Sequence, residues 1–114
     1  MDMDPNCIFC KIASKATPSN ILHETDNIMI IQDIMPKAPV HVLIMPKRHI
    51  SSVNGLVAED GVMIAELVLA AKDHAVKAGV SESGYKLVMN NGKEGGQIIP
   101  HLHMHLLGGK QLEE

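Results

Sequence analysis

The sequence predicts an α+β fold with a five-stranded antiparallel sheet, one short helix and one long helix. Three observations lead to this fold class. Five short apolar segments are separated by turn residues, a pattern typical of strands that pair as hairpins and meanders. A single long segment with helical periodicity lies between the third and fourth of them. In the last segment, histidines alternate with apolar residues, which places the two sets on opposite faces of a strand.

The elements follow one another from the N-terminus. Cys7 to Lys15 is predicted as the short helix, because apolar side chains recur at helical spacing. The next two strands, residues 21–24 and 28–32, suggest a hairpin around a polar turn. Residues 41–46 form the third strand, which is almost continuously apolar and therefore expected to be buried on both faces. Residues 85–89 and 101–107 are the fourth and fifth strands.

Residues 60–78 are predicted to form the long helix, with Asp60 as its cap and Gly79 at its end. Polar side chains occupy only a narrow stripe, at Glu66, Asp73 and Lys77. A helix on the surface of a monomer has a wider polar face. The sequence therefore predicts that this helix packs against its own sheet and against a second chain, giving a homodimer with an extended sheet.

Composition limits the classes of function. The 114 residues correspond to one domain, residues 1–114. A net charge of −3 argues against a nucleic-acid binder, which would carry a basic face. The apolar runs are shorter than a membrane span, and the acidic N-terminus does not read as a signal segment. We therefore expect a soluble, cytoplasmic protein that binds neither nucleic acid nor membrane.

The alternating histidines His101, His103 and His105 are the strongest functional signal in the chain. Imidazole changes charge near neutral pH, attacks as a nucleophile and binds metals, so three on one face predict a chemical site. A loop with three glycines, between residues 90 and 97, precedes them. Such a loop alone is typical of a hairpin turn, but next to the histidines it favours a phosphate cradle. The juxtaposition predicts phosphoryl or nucleotidyl transfer with a histidine nucleophile.

The segment His101-Leu-His-Met-His-Leu-Leu resembles the signature of the histidine triad superfamily. Nearly the whole chain takes part in the resemblance. The segment from Cys7 to Ile12 is similar to the family's N-terminal helix, residues 33–41 and 46–50 to its central strand region, and residues 90–109 to its catalytic loop and strand. The ending Gly108-Gly109-Lys110 is more similar to the Hint branch of nucleoside phosphoramidases than to the Fhit branch.

The resemblance implies a role for each matching residue. His103 would be the nucleophile that takes the nucleoside monophosphate, His105 would contact the phosphate oxygens and assist the leaving group, and His41 would hydrogen-bond to them. Asp33 would accept hydrogen bonds from both ribose hydroxyls. No catalytic cofactor is implied. The base pocket would be lined by Ile8, Phe9, Ile12, Ile34 and Leu43, and the phosphate and sugar would be held by Asn90 and the backbone at Gly96, Gln97 and Ile98.

The pair Cys7 and Cys10 forms a second constellation with His49 and His101. Two thiolates and two imidazoles are typical of a tetrahedral structural Zn²⁺ site, and family members with this cysteine pair resemble the arrangement. The alternatives are a redox pair, which lacks the usual βαβ context here, and two free buried thiols.

Other interpretations stay open at several positions. Asp33 could be a turn residue, and Ile8, Phe9 and Ile12 could be plain core. Ile98 stands where many Hint relatives carry a serine near the scissile bond, and the short acidic tail lacks an aromatic residue. The leading prediction is a phosphoramidase acting on purine nucleoside phosphoramidates. The alternatives are a dinucleoside polyphosphate hydrolase or nucleotidyl transferase of the same superfamily, or a nucleotide-binding interaction module with little activity.

Overall fold

A computed structural model describes residues 3–114 as a five-stranded sheet with one helix on each face. Neighbouring strands are all antiparallel, in the order β1-β2-β3-β5-β4, which confirms the predicted α+β fold. The elements are α1 Ile8–Ala13, β1 Ile21–Glu24, β2 Ile28–Gln32, β3 Val40–Pro46, α2 Gly61–Lys77, β4 Tyr85–Val88 and β5 Met104–Gly108. Two 3₁₀ turns, Val53–Gly55 and Ala58–Asp60, join β3 to α2.

The central strands β2 and β3 are buried on both faces, as the continuous apolar run in β3 predicted. Because side chains alternate along a strand, each face receives its own apolar set. Helix α2 covers one set, comprising Ile28, Ile30, Val42 and Ile44. Helix α1 covers the other, comprising Met29, Ile31, Leu43 and Met45. The site described below lies on the α1 face.

Helix α2 ends as the sequence predicts but begins differently. Gly79 has a φ of +78°, and the N–H groups of Val80 and Gly79 donate to the carbonyls of Ala75 and Val76, a Schellman motif. At the other end, the predicted side-chain cap is wrong. The Asp60 carboxylate accepts from the Val57 N–H and pairs with the Arg48 guanidinium, so it closes the preceding turn. No helix among residues 3–114 combines the length and apolar character needed to cross a membrane.

The predicted fifth strand is wrong at its start, because β5 begins at Met104 and not at His101. The N–H of His101 donates to the Ile99 carbonyl, and that of Leu102 donates to Ile50, a loop residue. The backbone N–H groups of His101 and Leu102 are therefore bonded to loop residues and not to the β3 ladder. Helix α1 is also shorter than predicted: it ends at Ala13, and Lys15 adopts a φ of +69°.

Candidate active site

The histidines of the site converge because of strand register on the α1 face of the sheet. His105 on β5 lies opposite Leu43 on β3, so His41, two residues before Leu43, is its diagonal neighbour on the same face. His103 lies just before β5, and its ring packs against Phe9 of α1, so it lies on that face as well. The ring centroids are 5.1 Å apart for His103 and His105 and 5.2 Å apart for His41 and His105. We call these three side chains the imidazole row.

The hydrogen bond that His103 makes fixes which of its nitrogens carries a proton. Its Nδ1 lies 2.7 Å from the backbone carbonyl oxygen of His101. A carbonyl only accepts, so Nδ1 donates, and the neutral ring keeps its lone pair on Nε2. The Phe9 ring packs against the His103 ring in a T-shaped arrangement, with centroids 5.2 Å apart. His103 is thus a buried, oriented imidazole whose Nε2 has the lone pair that a nucleophile needs.

His41 and His105 form a directed pair whose proton positions follow from a backbone donor. The N–H of Lys37 donates to His41 Nδ1 at 3.0 Å, so the proton of the neutral His41 ring lies on Nε2. That Nε2 is 3.0 Å from His105 Nδ1 and donates to it. The remaining proton of His105 is therefore on Nε2. The Nε2 of His105 is therefore a hydrogen-bond donor, whereas the Nε2 of His103 has a lone pair.

Burial keeps both rings of this pair neutral. Burial lowers the pKa of His105 to about 4, with smaller contributions from His103 and His41. The pKa of His41 is also lowered, mainly by burial, and the Asp33 carboxylate opposes the shift. Both imidazoles are uncharged at neutral pH, which is the state that the hydrogen-bond directions above require.

Asp33, His41 and His105 place one ligand atom each within 4.8 Å of one another, yet this set does not suit a metal ion. The Asp33 Oδ2 lies 3.3 Å from His41 Nε2. That nitrogen carries the proton because Nδ1 already accepts from the Lys37 N–H, so it has no lone pair to offer. The cluster is organised for hydrogen bonding.

The glycine loop is closed by its own hydrogen bonds. The N–H groups of Gly96 and Gln97, expected to hold phosphate, donate to the carbonyls of Lys93 and Gly92. The side chains of Asn90 and Gln97 also brace the loop: Asn90 donates to the Gly95 carbonyl, and Gln97 accepts from the Gly92 N–H. In this conformation, phosphate binding by these two backbone groups would require the loop to open.

The apolar residues expected around a base divide into two groups. Phe9, Ile12 and Leu43 are buried in the cluster beneath α1, so they serve as core. Ile34 and Ile98 are 91% and 90% exposed, and Ile8 is half-exposed. The exposed residues contribute no closed pocket here, and they are the apolar surface available to a ligand that reaches the imidazole row.

The four predicted metal ligands do converge, beside the imidazole row. Ligand atoms of Cys7, Cys10, His49 and His101 all lie within 4.8 Å of one another. The Cys7 Sγ is 3.3 Å from His101 Nδ1, and the Cys10 Sγ is 3.4 Å from His49 Nδ1. Zn–S and Zn–N bonds of about 2.0–2.3 Å at tetrahedral angles place such atoms about 3.5 Å apart. We call this set the thiol–imidazole cluster, and its geometry fits a zinc ion.

The groups around the thiol–imidazole cluster orient its members. His101 Nε2 donates to the Pro46 carbonyl at 2.8 Å, which leaves Nδ1 free to bind a cation. Burial, the largest contribution, lowers the pKa of His101 to about 4, so the ring is a neutral ligand. Burial also raises the pKa of the Cys10 thiol, whereas a bound dication would act in the opposite direction.

Several contacts that organise the site had no signal in the sequence. The Lys37 N–H and the Pro46 carbonyl fix the tautomers of His41 and His101, but every residue has such backbone groups. The Gln97 side chain donates to the Ser51 carbonyl, a partner far away in the chain. The sequence pointed to His101 through the alternating histidines and to His41 through the family resemblance, but not to these partners.

An antiparallel sheet that carries a row of three imidazoles defines the class of protein, and comparisons with known proteins agree. The HIT domain family model matches residues 14–112. Purine nucleoside phosphoramidase from Escherichia coli K12 is 40% identical over 110 residues, covering 96% of this chain and 92% of that protein. This chain belongs to the histidine triad family.

Solved structures have the same fold. A HIT family hydrolase from Clostridium thermocellum superimposes with a TM-score of 0.95 at 41% identity, covering 98% of this chain and 97% of that one. A HIT family hydrolase from Legionella pneumophila Philadelphia 1 has a TM-score of 0.93 at 44% identity, covering 95% and 96%. The similarity therefore extends over nearly the whole of each chain.

Proposed function

We propose that this protein is a nucleotide hydrolase that cleaves purine nucleoside phosphoramidates at the α-phosphate through His103. The observation that carries the proposal is the fixed tautomer of His103, whose Nδ1 donates to the His101 carbonyl at 2.7 Å. The similarity to a purine nucleoside phosphoramidase over nearly the full length supports this choice of substrate. Asp33 would bind the ribose hydroxyls, and the exposed Ile8 and Ile34 would contact the base.

The reaction takes two steps. The His103 Nε2 lone pair attacks the α-phosphorus, the bond from phosphorus to the leaving amine breaks, and the amine takes a proton from solvent while the His105 Nε2–H donates a hydrogen bond to the reacting phosphate group. Water then attacks the nucleotidyl-histidine, the bond from phosphorus to His103 Nε2 breaks, the proton of the water passes to solvent, and the nucleoside monophosphate leaves. Neutral His105 is suited to this hydrogen bond because its Nε2 carries a proton.

We also propose that the thiol–imidazole cluster binds Zn²⁺ as a structural ion. The ligand spacing and the backbone acceptor of His101 support the assignment. Bound zinc would pin α1 to the sheet. The chemical steps involve only the imidazole row. We further propose that two copies of the chain form a homodimer through the exposed apolar side of α2.

Intact-protein mass spectrometry after rapid quenching with adenosine 5′-phosphoramidate tests the function. Wild type should gain the mass of one adenylyl group, and His103→Ala should gain none and lose turnover by at least about a thousandfold. His23→Ala, which removes an exposed imidazole on the edge strand β1, should behave as wild type.

Two other outcomes would contradict the proposal. An adduct formed only with dinucleoside polyphosphates would keep the nucleophile and assign a phosphoanhydride substrate. Measurable nucleotide affinity with neither adduct nor turnover would make the protein a binding module, and His103 would then have no chemical role.

A further inference from the structure

Three of the four members of the thiol–imidazole cluster are supported by main-chain groups. The Cys7 sulfur accepts from the Cys10 N–H at 3.4 Å, and the Cys10 sulfur accepts from the Asp4 N–H at 3.5 Å. His101 Nε2 donates to the Pro46 carbonyl at 2.8 Å. Outer contacts of this kind orient metal ligands and adjust their donor strength. Three ligands of the cluster are thus held in place by the backbone.

His49, the fourth member, has a side chain as its outer partner. Its Nδ1 is 3.4 Å from the Cys10 sulfur, so binding an ion through Nδ1 leaves the ring proton on Nε2. Within residues 3–114, no main-chain carbonyl accepts from that nitrogen, and its partner is the carboxylate of Asp4, with Oδ2 at 4.0 Å. This distance is longer than a hydrogen bond. His49 is therefore the ligand whose orientation the backbone hydrogen bonds do not fix.

The turn before α1 places the Asp4 carboxylate beside His49. Asp4 Oδ1 accepts from the Asn6 N–H at 2.9 Å, and the main-chain carbonyl of Asp4 accepts from the Cys7 N–H at 3.0 Å. These two bonds fold residues 4–7 into a turn and leave Oδ2 facing His49. The Asp4 side chain is 45% exposed, so it has room to move. A shift of about 1 Å would bring Oδ2 within hydrogen-bond distance of His49 Nε2.

We propose that Asp4 is a positioning residue of the metal site, whose carboxylate closes onto His49 when Zn²⁺ binds and raises the affinity for the ion. This inference rests on the proposed function, in which the thiol–imidazole cluster binds Zn²⁺. A dication on Nδ1 withdraws electrons from the imidazole, which makes the Nε2–H a stronger donor. A carboxylate accepts such a proton in a charge-assisted hydrogen bond. Asp4 then supports two of the four ligands, the Cys10 sulfur through its N–H and His49 through its side chain.

The Zn²⁺ affinity of the full chain, measured by competition with a chromophoric chelator, is the first test. Asp4→Asn keeps an oxygen that can accept from the Asn6 N–H but removes the charge, whereas Asp4→Ala removes both. The affinity should fall about tenfold in Asp4→Asn and at least as much in Asp4→Ala, the size typical for loss of an outer partner of a metal ligand. Asp73→Asn makes the same change of charge at an exposed position on α2, on the other face of the sheet, and should keep the wild-type affinity.

Two further measurements separate positioning of His49 from a general effect on folding. Metal-free Asp4→Asn should have the same Tm as metal-free wild type, but Zn²⁺ should raise the Tm of the variant by less, because it binds the ion more weakly. Nitrogen NMR of the zinc-loaded protein should show a changed Nε2–H resonance for His49 in Asp4→Asn. The Nε2–H resonance of His101, which donates to the Pro46 carbonyl, should not change.

Each of three outcomes would contradict the role of Asp4. Equal zinc affinity in wild type and Asp4→Asn would overturn this role and leave the metal site intact. A metal-free Tm that falls in the variant together with the affinity would also overturn it, because a folding defect would then explain the weaker binding. A wild type that binds no Zn²⁺ would overturn both this inference and the metal site, whereas adenylylation of His103 tests the imidazole row separately.

Discussion

At the scale of single residues, the position of each histidine in the fold determines its pKa and its tautomer. His101 and His105 have a pKa of about 4, chiefly because of burial, whereas His23 is exposed on an edge strand. His103 and His41 owe their tautomers to backbone partners. His103 and His105 were predictable from spacing and His41 from the family resemblance, but the donor or acceptor role of each nitrogen was not, since the deciding partners are main-chain groups, which every residue has.

Burial of His105 makes stability depend on pH. The unfolded chain binds a proton near the ordinary histidine pKa of 6.5, and the folded chain binds it only near about 4. The contribution of the neutral His105 ring to the free energy of unfolding is therefore complete above pH 6.5. It is lost as the pH falls towards 4, because protonation favours the unfolded chain. Urea unfolding of wild type and His105→Asn at several pH values checks this. The stability difference between them should shift in favour of the variant as the pH falls, and a constant difference would contradict the prediction.

Two glycines give opposite expectations for the same substitution. Gly109 has a φ of +91°, and an added Cβ would lie 2.9 Å from the Pro39 Cβ. Gly109→Ala should lower the free energy of unfolding by about 1–3 kcal/mol. Gly61 opens α2 with nothing within 4 Å of an added Cβ, so Gly61→Ala should raise it by up to about 1 kcal/mol. Denaturant unfolding of both variants measures the contrast, and two equal effects would refute it.

At the scale of elements, the sequence pattern located both α-helices and all five strands of residues 3–114, but not all of their ends and not the two 3₁₀ turns. The apolar run of β3 predicted a strand buried on both faces, and the structure places a helix against each face of both β2 and β3. The start of β5 could not be predicted, because Leu102 bonds to Ile50 in a loop whose position depends on the whole fold. Asp60 was misassigned for a similar reason, since its partner Arg48 comes from a different segment.

Helix α1 should depend on metal for its stability. It has six residues, fewer than an isolated helix needs, and Cys7 and Cys10 lie at its N-terminal end. Chelation with EDTA should lower the Tm of wild type by about 5–10 °C, because ligand binding to the folded state adds to its stability. Cys10→Ser should begin near the lower value and respond little to EDTA. Elemental analysis that finds no bound metal after gentle purification would contradict the prediction.

At the scale of the whole molecule, the sheet order was not accessible from the sequence. β5 lies between β3 and β4, and a long connection carrying α2 separates the sequence neighbours β3 and β4. Local patterns define strands, but strands so far apart in the chain pair according to the packing of the complete core. His101, His103 and His105 could be singled out nevertheless, because their alternating spacing is local.

The exposed side of α2 carries the prediction of a dimer. Val62, Leu69 and Val76 recur at seven-residue spacing and are 82%, 55% and 63% exposed. An apolar stripe of this kind is typical of a helix that packs against a partner. Light scattering at micromolar concentration should give a dimer mass for wild type and a monomer mass for Leu69→Glu. Leu22→Glu, at an exposed leucine on β1, is the matched control and should remain dimeric; a monomeric wild type would refute the prediction.

His101 makes two contacts: its side chain belongs to the thiol–imidazole cluster, and its backbone carbonyl oxygen accepts the hydrogen bond from His103 Nδ1. Different kinds of mutation disrupt these two contacts. Point substitution at residue 101 removes the imidazole from the cluster, but any amino acid there still supplies a carbonyl. The support of His103 is therefore insensitive to substitution at this position and sensitive to an insertion or deletion in the segment 98–103. Lineages could discard the cysteines and keep the chemistry, whereas a single length change here would affect both.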